Sequence, residues 1–295
     1  MNELQTPSVV YADQGFRWPN GSNLAVWVVL NVEHFNVNKP IPGVSNSTPN
    51  SLGFSVREYG SRVGFYRVAD LLDELDVRVS VALNSAVCER FPRIIERIVR
   101  SDWEVLGHNI TNSQRLVELD AAAESEHINS ALETIQQHTS SRPRGWLSAG
   151  LQESKDTLRL LSSAGVDYVC DWILEDQPVL LQQGDTSIYA VPYSVEIADK
   201  KVFEQEGNPA DEFVSRAIRQ FDSLLEEGKN APRAMAISLH PYLIGQPHRI
   251  EALRRVLDYI QRSTGAWITT GADILDAFMP ALPHPKESPT TGEAV

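Results

Sequence analysis

Short apolar runs alternate with amphipathic segments along most of this chain, and this alternation restricts the possible folds more than any other feature. Residues 24–30 read LAVWVVL, which is typical of a strand buried on both faces, whereas residues 62–75 repeat apolar side chains at helical spacing. The other predicted strands are 77–83, 103–106, 145–147, 168–170, 188–191, 234–239 and 266–269. The other predicted helices are 87–100, 120–139, 154–165, 210–227 and 249–262.

Strands that are joined through helices run parallel within one sheet, so this order predicts an α/β fold. At 295 residues, an irregular (β/α) barrel is favoured over an open doubly wound sheet, because no G-x-G-x-x-G follows the first strand. We predict one barrel domain over residues 1–280 and a flexible tail over residues 281–295, which are rich in proline and polar side chains. The turn-rich segment 36–56 is predicted to be a long loop that lines a site.

Composition excludes several classes of protein. The chain has 39 acidic and 26 basic side chains, a net charge of −13, which argues against nucleic acid or an anionic membrane as a partner. No uncharged apolar stretch is long enough to span a membrane, and the first residues do not resemble a secretory signal, so we expect a cytoplasmic protein with a small-molecule substrate. The two cysteines, Cys88 and Cys170, have apolar neighbours and are expected to be buried thiols.

Polar and titratable side chains follow the predicted strands, at the end of a (β/α) barrel where active sites form. They are Asn31, Glu33, His34, Asn84, His108, Asn109, Asn112, Ser148, Asp171, Trp172, Tyr193 and His240. A carboxylate with two or three histidines suits the attack of an activated water on a carbonyl carbon, with or without a metal. We therefore expect Glu33, His108 and His240 to be catalytic. His127 and His138 lie on a predicted surface helix and are expected to be solvated.

Five segments carry a resemblance to a known family: NVEHF at 31–35, GHNITNS at 107–113, RGWLSAG at 144–150, CDWILEDQP at 170–178 and SLHPY at 238–242. Together they resemble the NodB-type polysaccharide deacetylase superfamily, and within it the branch of metal-independent allantoinases and cyclic imide hydrolases. The resemblance covers roughly residues 16–278. It implies the NodB-homology fold, an irregular (β/α) barrel, hydrolysis of a C–N or acetyl bond, and a homo-oligomer.

The resemblance also implies a possible metal site. Deacetylases of the superfamily place Asp-Asp in the first motif, as base and then metal ligand, and H-x-x-x-H in the second. Here these positions read Glu33-His34 and His108 with Asn112, so the base keeps its carboxylate while two ligand positions differ. Amides are poor zinc ligands, so a His34, His108 and Asn112 site implies either no cofactor or a weakly bound divalent metal such as zinc.

Three functions remain open from the sequence. The first is a hydrolase of a small cyclic amide, imide or ureide, in which Glu33 activates water, His108 and Asn112 hold the oxyanion, and His240 protonates the leaving nitrogen. In that hypothesis Arg144 holds a carboxylate or positions Asp171, and the substrate contacts are Asn84, Asn112, Trp146, Trp172 and Tyr193. The second is a metal-dependent N-deacetylase of an acetylated amino sugar or polysaccharide. The third is a non-catalytic barrel that binds a small molecule.

Overall fold

The computed structural model describes residues 16–41, 46 and 48–281, so the tail beyond 281 and part of the 36–56 segment lie outside the described residues. The strands are β1 Leu24–Val32, β2 Ser80–Leu83, β3 Glu104–Gly107, β4 Gly145–Trp146, β5 Tyr168–Val169, β6 Val179–Gln183, β7 Thr186–Ala190, β8 Arg233–Leu239 and β9 Ala266–Thr269. The helices are α1 Ser51–Tyr59, α2 Phe65–Glu74, α3 Ala86–Arg90, α4 Pro92–Arg100, α5 Ala121–Thr139, α6 Thr157–Ser163, α7 Ala210–Glu227, α8 Ile250–Arg262 and α9 Gly271–Phe278.

One sheet contains all of these strands, in the order β6-β7-β5-β4-β3-β2-β1-β8, and β9 pairs with β1. The pairs are parallel except for the β6–β7 hairpin. Strand pairing in the described residues does not close the circle between β6 and β8. The gap is bridged by the Ala234 N–H, which donates to the Asp176 carbonyl at 2.7 Å, and by Trp27 Nε1, which donates to the Pro192 carbonyl at 3.0 Å. The predicted irregular (β/α) barrel is thus confirmed.

The pleat of β1 explains how an apolar strand delivers polar groups to the barrel interior. Alternate residues such as Val26 and Val28 face the outer core under the helices, whereas Trp27 and Val29 face the inner core. Asn31 and Glu33 continue the inward series beyond the apolar residues. The same alternation in β8 directs small side chains inward and ends with Ser238 and then His240. The strand period therefore carries these polar side chains to one end of the interior.

The opposite end of the barrel is closed by α9 and by aromatic side chains from both ends of the described chain. The rings of Phe16 and Phe278 lie 5.9 Å apart, centroid to centroid, and Trp18 packs beside them. Glu104 accepts the backbone N–H groups of Gly271 and Ala272 at 2.9 and 3.1 Å, which fixes the start of α9 against β3. These residues cover the end of the barrel at which the strands begin. The parallel strands finish at the other end.

Several element boundaries differ from the predictions. Helix α1 begins at Ser51, inside the predicted loop, because the Asn50 side chain caps it by accepting the Gly53 N–H at 2.9 Å. A π-helical turn, Gly60–Gly64, joins α1 to α2. The predicted helix 87–100 breaks before Pro92, which has no N–H to donate. Strand β6 was not predicted, because its sequence VLLQQ has neither strict alternation nor a fully apolar run.

The two cysteines, Cys88 and Cys170, are free and buried, as predicted. None of the helices in the described part of the chain is both long and apolar enough to cross a membrane.

Candidate active site

A cavity of about 280 Å³ opens where the parallel strands end. Its floor contains Glu33 after β1, His108 after β3, Ser148 after β4, Tyr193 after β7 and His240 after β8. The predicted convergence of side chains that follow the strands is therefore confirmed for these positions. The wall adds a set that precedes or lies on the π-helical segment Lys200–Gln205, namely Val195, Glu196, Ala198, Lys200, Lys201 and Gln205.

Glu33 occupies the centre of the site and is only 9% exposed. Its Oε1 accepts a hydrogen bond from Asn112 Nδ2, and it lies 3.4 Å from His108 Nε2 and 3.9 Å from His240 Nε2. Its Oε2 is buried and has no partner among the described residues. One carboxylate oxygen is therefore held by three side chains, while the other remains an acceptor without a donor.

The surroundings of Glu33 keep its carboxylate ionised. Burial alone would raise its pKa, but the His108 hydrogen bond and the positive charges of His240, Lys200 and His108 together hold the pKa of Glu33 well below its ordinary value. A carboxylate that stays ionised can accept a proton from water without first losing its own. The same interactions make it a weaker base, because each of them stabilises the ionised form.

His108 is oriented by backbone contacts. Its Nδ1 lies 2.6 Å from the Leu147 carbonyl, which can only accept, so Nδ1 carries the proton of that hydrogen bond. The contact of Nε2 with Glu33 is then attractive when Nε2 is protonated as well. Gly107, which precedes His108, has no room for a side chain, because a Cβ there would lie 2.4 Å from the Trp146 ring.

His240 is held by Asp199, a fully buried carboxylate. Asp199 Oδ1 lies 2.7 Å from His240 Nδ1, and Asp199 Oδ2 accepts the His240 backbone N–H at 2.7 Å and that of Ile244 at 3.3 Å. A carboxylate at Nδ1 fixes the proton on that nitrogen and stabilises the imidazolium, in which Nε2 also carries a proton and faces Glu33. The arrangement therefore suits His240 Nε2 to donate a proton.

Asn31 and Tyr193 form a polar floor between Glu33 and His240. Asn31 Nδ2 donates to Tyr193 Oη at 3.2 Å, to Ser238 Oγ at 3.2 Å and to the Leu239 carbonyl at 3.1 Å. Tyr193 and Ser238 also share a hydrogen bond between their hydroxyls. Burial raises the pKa of Tyr193, so its hydroxyl stays neutral and polar. The floor is rigid, and its hydroxyls can still contact a ligand.

The predicted metal ligands His34, His108 and Asn112 do not form a zinc-like set. His34 Nδ1 lies 3.6 Å from Glu58 Oε1, its ring does not line the cavity, and Asn112 uses its amide N–H on Glu33. Among the described residues, no group of three or more His, Cys, Asp or Glu side chains is arranged to hold a metal ion. The donor set of the superfamily's deacetylases is thus absent from the positions that the resemblance indicates.

Four of the predicted site residues lie next to the cavity rather than on it. Asn84 joins two loops, since its Oδ1 accepts the His34 N–H at 2.8 Å and its Nδ2 donates to the His108 carbonyl. Trp146 is fully buried in the outer core against α5 and α6. Asp171 accepts the Ser148 N–H with both oxygens, at 2.9 and 3.1 Å, and Trp172 packs nearby. Their observed contacts support the loops that carry His108 and Ser148.

Asp171 belongs to a buried pair of carboxyl groups. Glu153 lies within hydrogen-bonding reach of it, and its Oε2 accepts the Trp172 indole N–H at 2.9 Å. Glu153 Oε1 is buried and has no hydrogen-bond donor among the described residues. Burial and the neighbouring Asp171 charge raise the pKa of Glu153, and burial raises that of Asp171. The pair is therefore satisfied when it holds one proton.

Arg144 is the main correction among the predicted site residues. It precedes β4, so it lies at the opposite end of the barrel, where it pairs with Asp167 at 2.6 Å and with Asp276 at 2.7 Å. It neither holds a group in the cavity nor positions Asp171. His127 is also corrected, because it is half-buried and its Nε2 accepts the Ile110 N–H at 3.1 Å instead of facing solvent.

Three charged residues near the site were not predicted: Asp199, Lys200 and Arg115. Asp199 precedes a π-helical segment that begins at Lys200, and no strand or helix pattern marks this segment in the sequence. Arg115 lies behind Gly150, where a Cβ would be 2.8 Å from the guanidinium carbon, and its Nη1 is buried without a partner. Burial lowers the pKa of Arg115, although the charge of Glu33 opposes this effect.

Comparisons with known proteins agree with this fold. A family model described as polysaccharide deacetylase matches residues 58–169, which include His108. A putative polysaccharide deacetylase of Schizosaccharomyces pombe (strain 972) is 27% identical over 305 residues, covering 90% of this chain and 93% of that protein.

Solved structures give the same result. The crystal structure of Puue allantoinase superposes with a TM-score of 0.83 at 25% identity, covering 95% of this chain and 99% of that chain. A probable polysaccharide deacetylase from Pseudomonas aeruginosa PAO1 gives a TM-score of 0.82 at 26% identity, covering 91% and 95%. The resemblance of this chain to the NodB-type polysaccharide deacetylase superfamily, with its allantoinase-like branch, is thereby confirmed.

Proposed function

We propose that this protein hydrolyses a C–N bond of a small cyclic amide, imide or ureide by attack of an activated water on the ring carbonyl. The observation that carries the proposal is the carboxylate of Glu33, which lines a small cavity beside two oriented histidines and whose Oε2 has no hydrogen-bond donor among the described residues. This atom is the natural acceptor for the attacking water. A cavity of about 280 Å³ suits a single ring with a short substituent.

The proposed reaction balances its protons within the site. Glu33 Oε2 takes one proton from water as the oxygen bonds to the carbonyl carbon. His240 Nε2 gives a proton to the ring nitrogen as the C–N bond breaks, leaving a carboxyl and an amine or amide on the opened product. Glu33 Oε1 and His240 Nε2 lie 3.9 Å apart, so the proton on Glu33 can return to His240 or to solvent.

His108 holds the developing oxyanion in this proposal, while Asn112 positions Glu33. A substrate oxygen that takes the His108 Nε2–H removes one of the interactions that stabilise the Glu33 carboxylate. The basicity of Glu33 therefore rises when substrate binds, which offsets the low basicity of the free site.

The proposal is tested with hydantoin, allantoin, succinimide and maleimide, followed by the change in absorbance on ring opening. We expect turnover of at least one ring, and Glu33→Gln to lower kcat about 1000-fold or more. Thermal unfolding of the variant shows that its fold is retained. Acetate release from N-acetylated sugars without turnover of any ring contradicts the proposal.

A second candidate is an N-deacetylase of an acetylated amino sugar. Its support is the names of the Schizosaccharomyces pombe and Pseudomonas aeruginosa relatives. The experiment that separates it is acetate release from N-acetylglucosamine oligomers, measured with added Zn²⁺ and with a chelator. The cyclic amide is favoured because His34, His108 and Asn112 do not form a zinc-like set of ligands.

A further inference from the structure

The wall of the cavity carries a lysine, Lys200, at the start of the π-helical segment. Lys200 lines the cavity, and in the described part of the chain no carboxylate lies within 4 Å of its ammonium and no hydrogen bond involves it. The adjacent Lys201 has a partner, Glu206, at 3.7 Å. The Lys200 charge nevertheless acts on Glu33. An unpaired ammonium therefore faces the reacting centre.

The segment that carries Lys200 is anchored at both ends. Asp199, one residue earlier, is held by the contacts with His240 and Ile244 described above. Glu204, four residues later, pairs with the buried guanidinium of Arg57 at 2.8 Å and accepts the Tyr242 hydroxyl at 3.2 Å. A cation on a rigid segment loses little freedom when it binds an anion, so its position is suited to selecting a substrate.

The charged residues of the cavity include a cation that has no anionic partner in the described part of the chain. Glu33 is matched by His108 and His240, which contact its Oε1. Lys200 adds a cation that has no carboxylate within 4 Å among the described residues. Of the other charged wall residues, Glu196 is exposed and Lys201 pairs with Glu206. Arg115, half-buried behind Gly150, adds a second cation, and its Nη1 has no hydrogen-bond partner among the described residues. A ligand that carries an anion can therefore pair with the Lys200 ammonium.

We propose that Lys200 is a specificity-determining residue, which binds a carboxylate substituent of the substrate. The inference rests on the proposed function and narrows it to cyclic amides that carry a carboxylate outside the ring carbonyl. A carboxylate matches the single ammonium donor of Lys200, and a ring with a short carboxylate arm matches the cavity volume. The ring carbonyl faces Glu33 while the arm reaches the wall.

A matched pair of substrates tests the inference: hydantoin, and hydantoin-5-acetate, which adds a carboxylate arm. We expect Lys200→Met to raise KM for hydantoin-5-acetate about tenfold, the loss of one charge-assisted hydrogen bond, and to change KM for hydantoin less than twofold. Lys229→Met is the control, because it removes the same charge from an exposed lysine that pairs with Glu226 and does not line the cavity. It is expected to change either KM less than twofold.

An equal effect of Lys200→Met on both substrates overturns the inference, because the lysine then acts on the reacting centre. A binding measurement separates this failure from failure of the proposed function. Calorimetric titration with succinate requires no turnover, and we expect Lys200→Met to weaken succinate binding about tenfold. Equal binding to the wild type and the variant overturns the inference. Absence of ring opening with Lys200-dependent succinate binding overturns only the cyclic amidase function.

Discussion

Asp199 Oδ1 lies 2.7 Å from His240 Nδ1, although 41 positions separate the two residues along the chain. The same carboxylate holds the backbone of His240, so ring and main chain are fixed together. This relationship gives His240 one defined tautomer and directs its second nitrogen at Glu33. It also ties the π-helical part of the cavity wall, which begins with Lys200, to the loop after β8.

Replacing Asp199 tests whether this contact supports proton donation. We expect Asp199→Asn to lower kcat about 100-fold or more, because an amide stabilises the imidazolium less and permits the wrong tautomer. Thermal unfolding is the control for the fold, and a folded variant with wild-type kcat contradicts the assigned role.

The low pKa of Glu33 predicts how activity depends on pH. Its folded-state pKa lies well below the ordinary 4.5, so Glu33 stays ionised from neutral pH down to at least that value. We expect the ¹³C carboxyl resonance of Glu33 not to titrate between pH 8 and 5. Ionisation of Glu33 therefore does not limit kcat/KM in that range. A Glu33 midpoint above pH 5 contradicts the prediction, and His240→Asn should raise the midpoint because a positive charge is lost.

The Glu153 and Asp171 pair predicts a pH-dependent stability. The folded-state pKa of Glu153 is raised, so above 4.5 the unfolded chain releases a proton that the folded chain keeps. Stability therefore falls as pH rises from 4.5 through the folded-state pKa. We expect Glu153→Gln to raise Tm by about 2 °C or more at pH 8 and to have little effect at pH 4.

The control for that measurement is Glu226→Gln. Glu226 is exposed and pairs with Lys229 at the protein surface, so the substitution should leave the dependence of Tm on pH unchanged. Parallel Tm profiles for the wild type and Glu153→Gln would show that the pair does not hold its proton in the folded state.

Arg144→Met tests the corrected position of Arg144. Its guanidinium is 43% exposed and pairs with Asp167 and Asp276 at the end of the barrel opposite the cavity. We expect the free energy of unfolding to fall by about 1 kcal/mol or less, and kcat/KM to stay within twofold of the wild type. A tenfold loss of activity at an unchanged Tm would return Arg144 to a role in the site.

The positions of Glu33, His108 and His240 were predictable because each directly follows a strand. Once the alternation of strands and helices predicts parallel strands, the residues after them must meet at one edge. The placement of Arg144 follows from the same rule, since a residue that precedes a strand lies at the other end. The prediction for Arg144 was wrong because it followed the motif and not the strand direction.

Asp199, Lys200 and the partner of His34 were not predictable in the same way. The residues at 195–205 form short 3₁₀ and π-helical turns, whose positions depend on packing against β8 and α1 and not on a sequence period. His34 turns to Glu58 because that carboxylate, on α1, is buried between it and Arg62. Contacts across such distances in sequence appear only once the chain is folded.

The contact between the Phe16 and Phe278 rings makes the chain suitable for circular permutation. Because these two positions are neighbours, a short peptide could join them, and new termini could be opened in the β6–β7 turn at Gly184. Such a circular permutant would keep every strand neighbour and every strand end in place. The cavity depends on which residues follow the strands. It does not depend on the order of those strands along the chain.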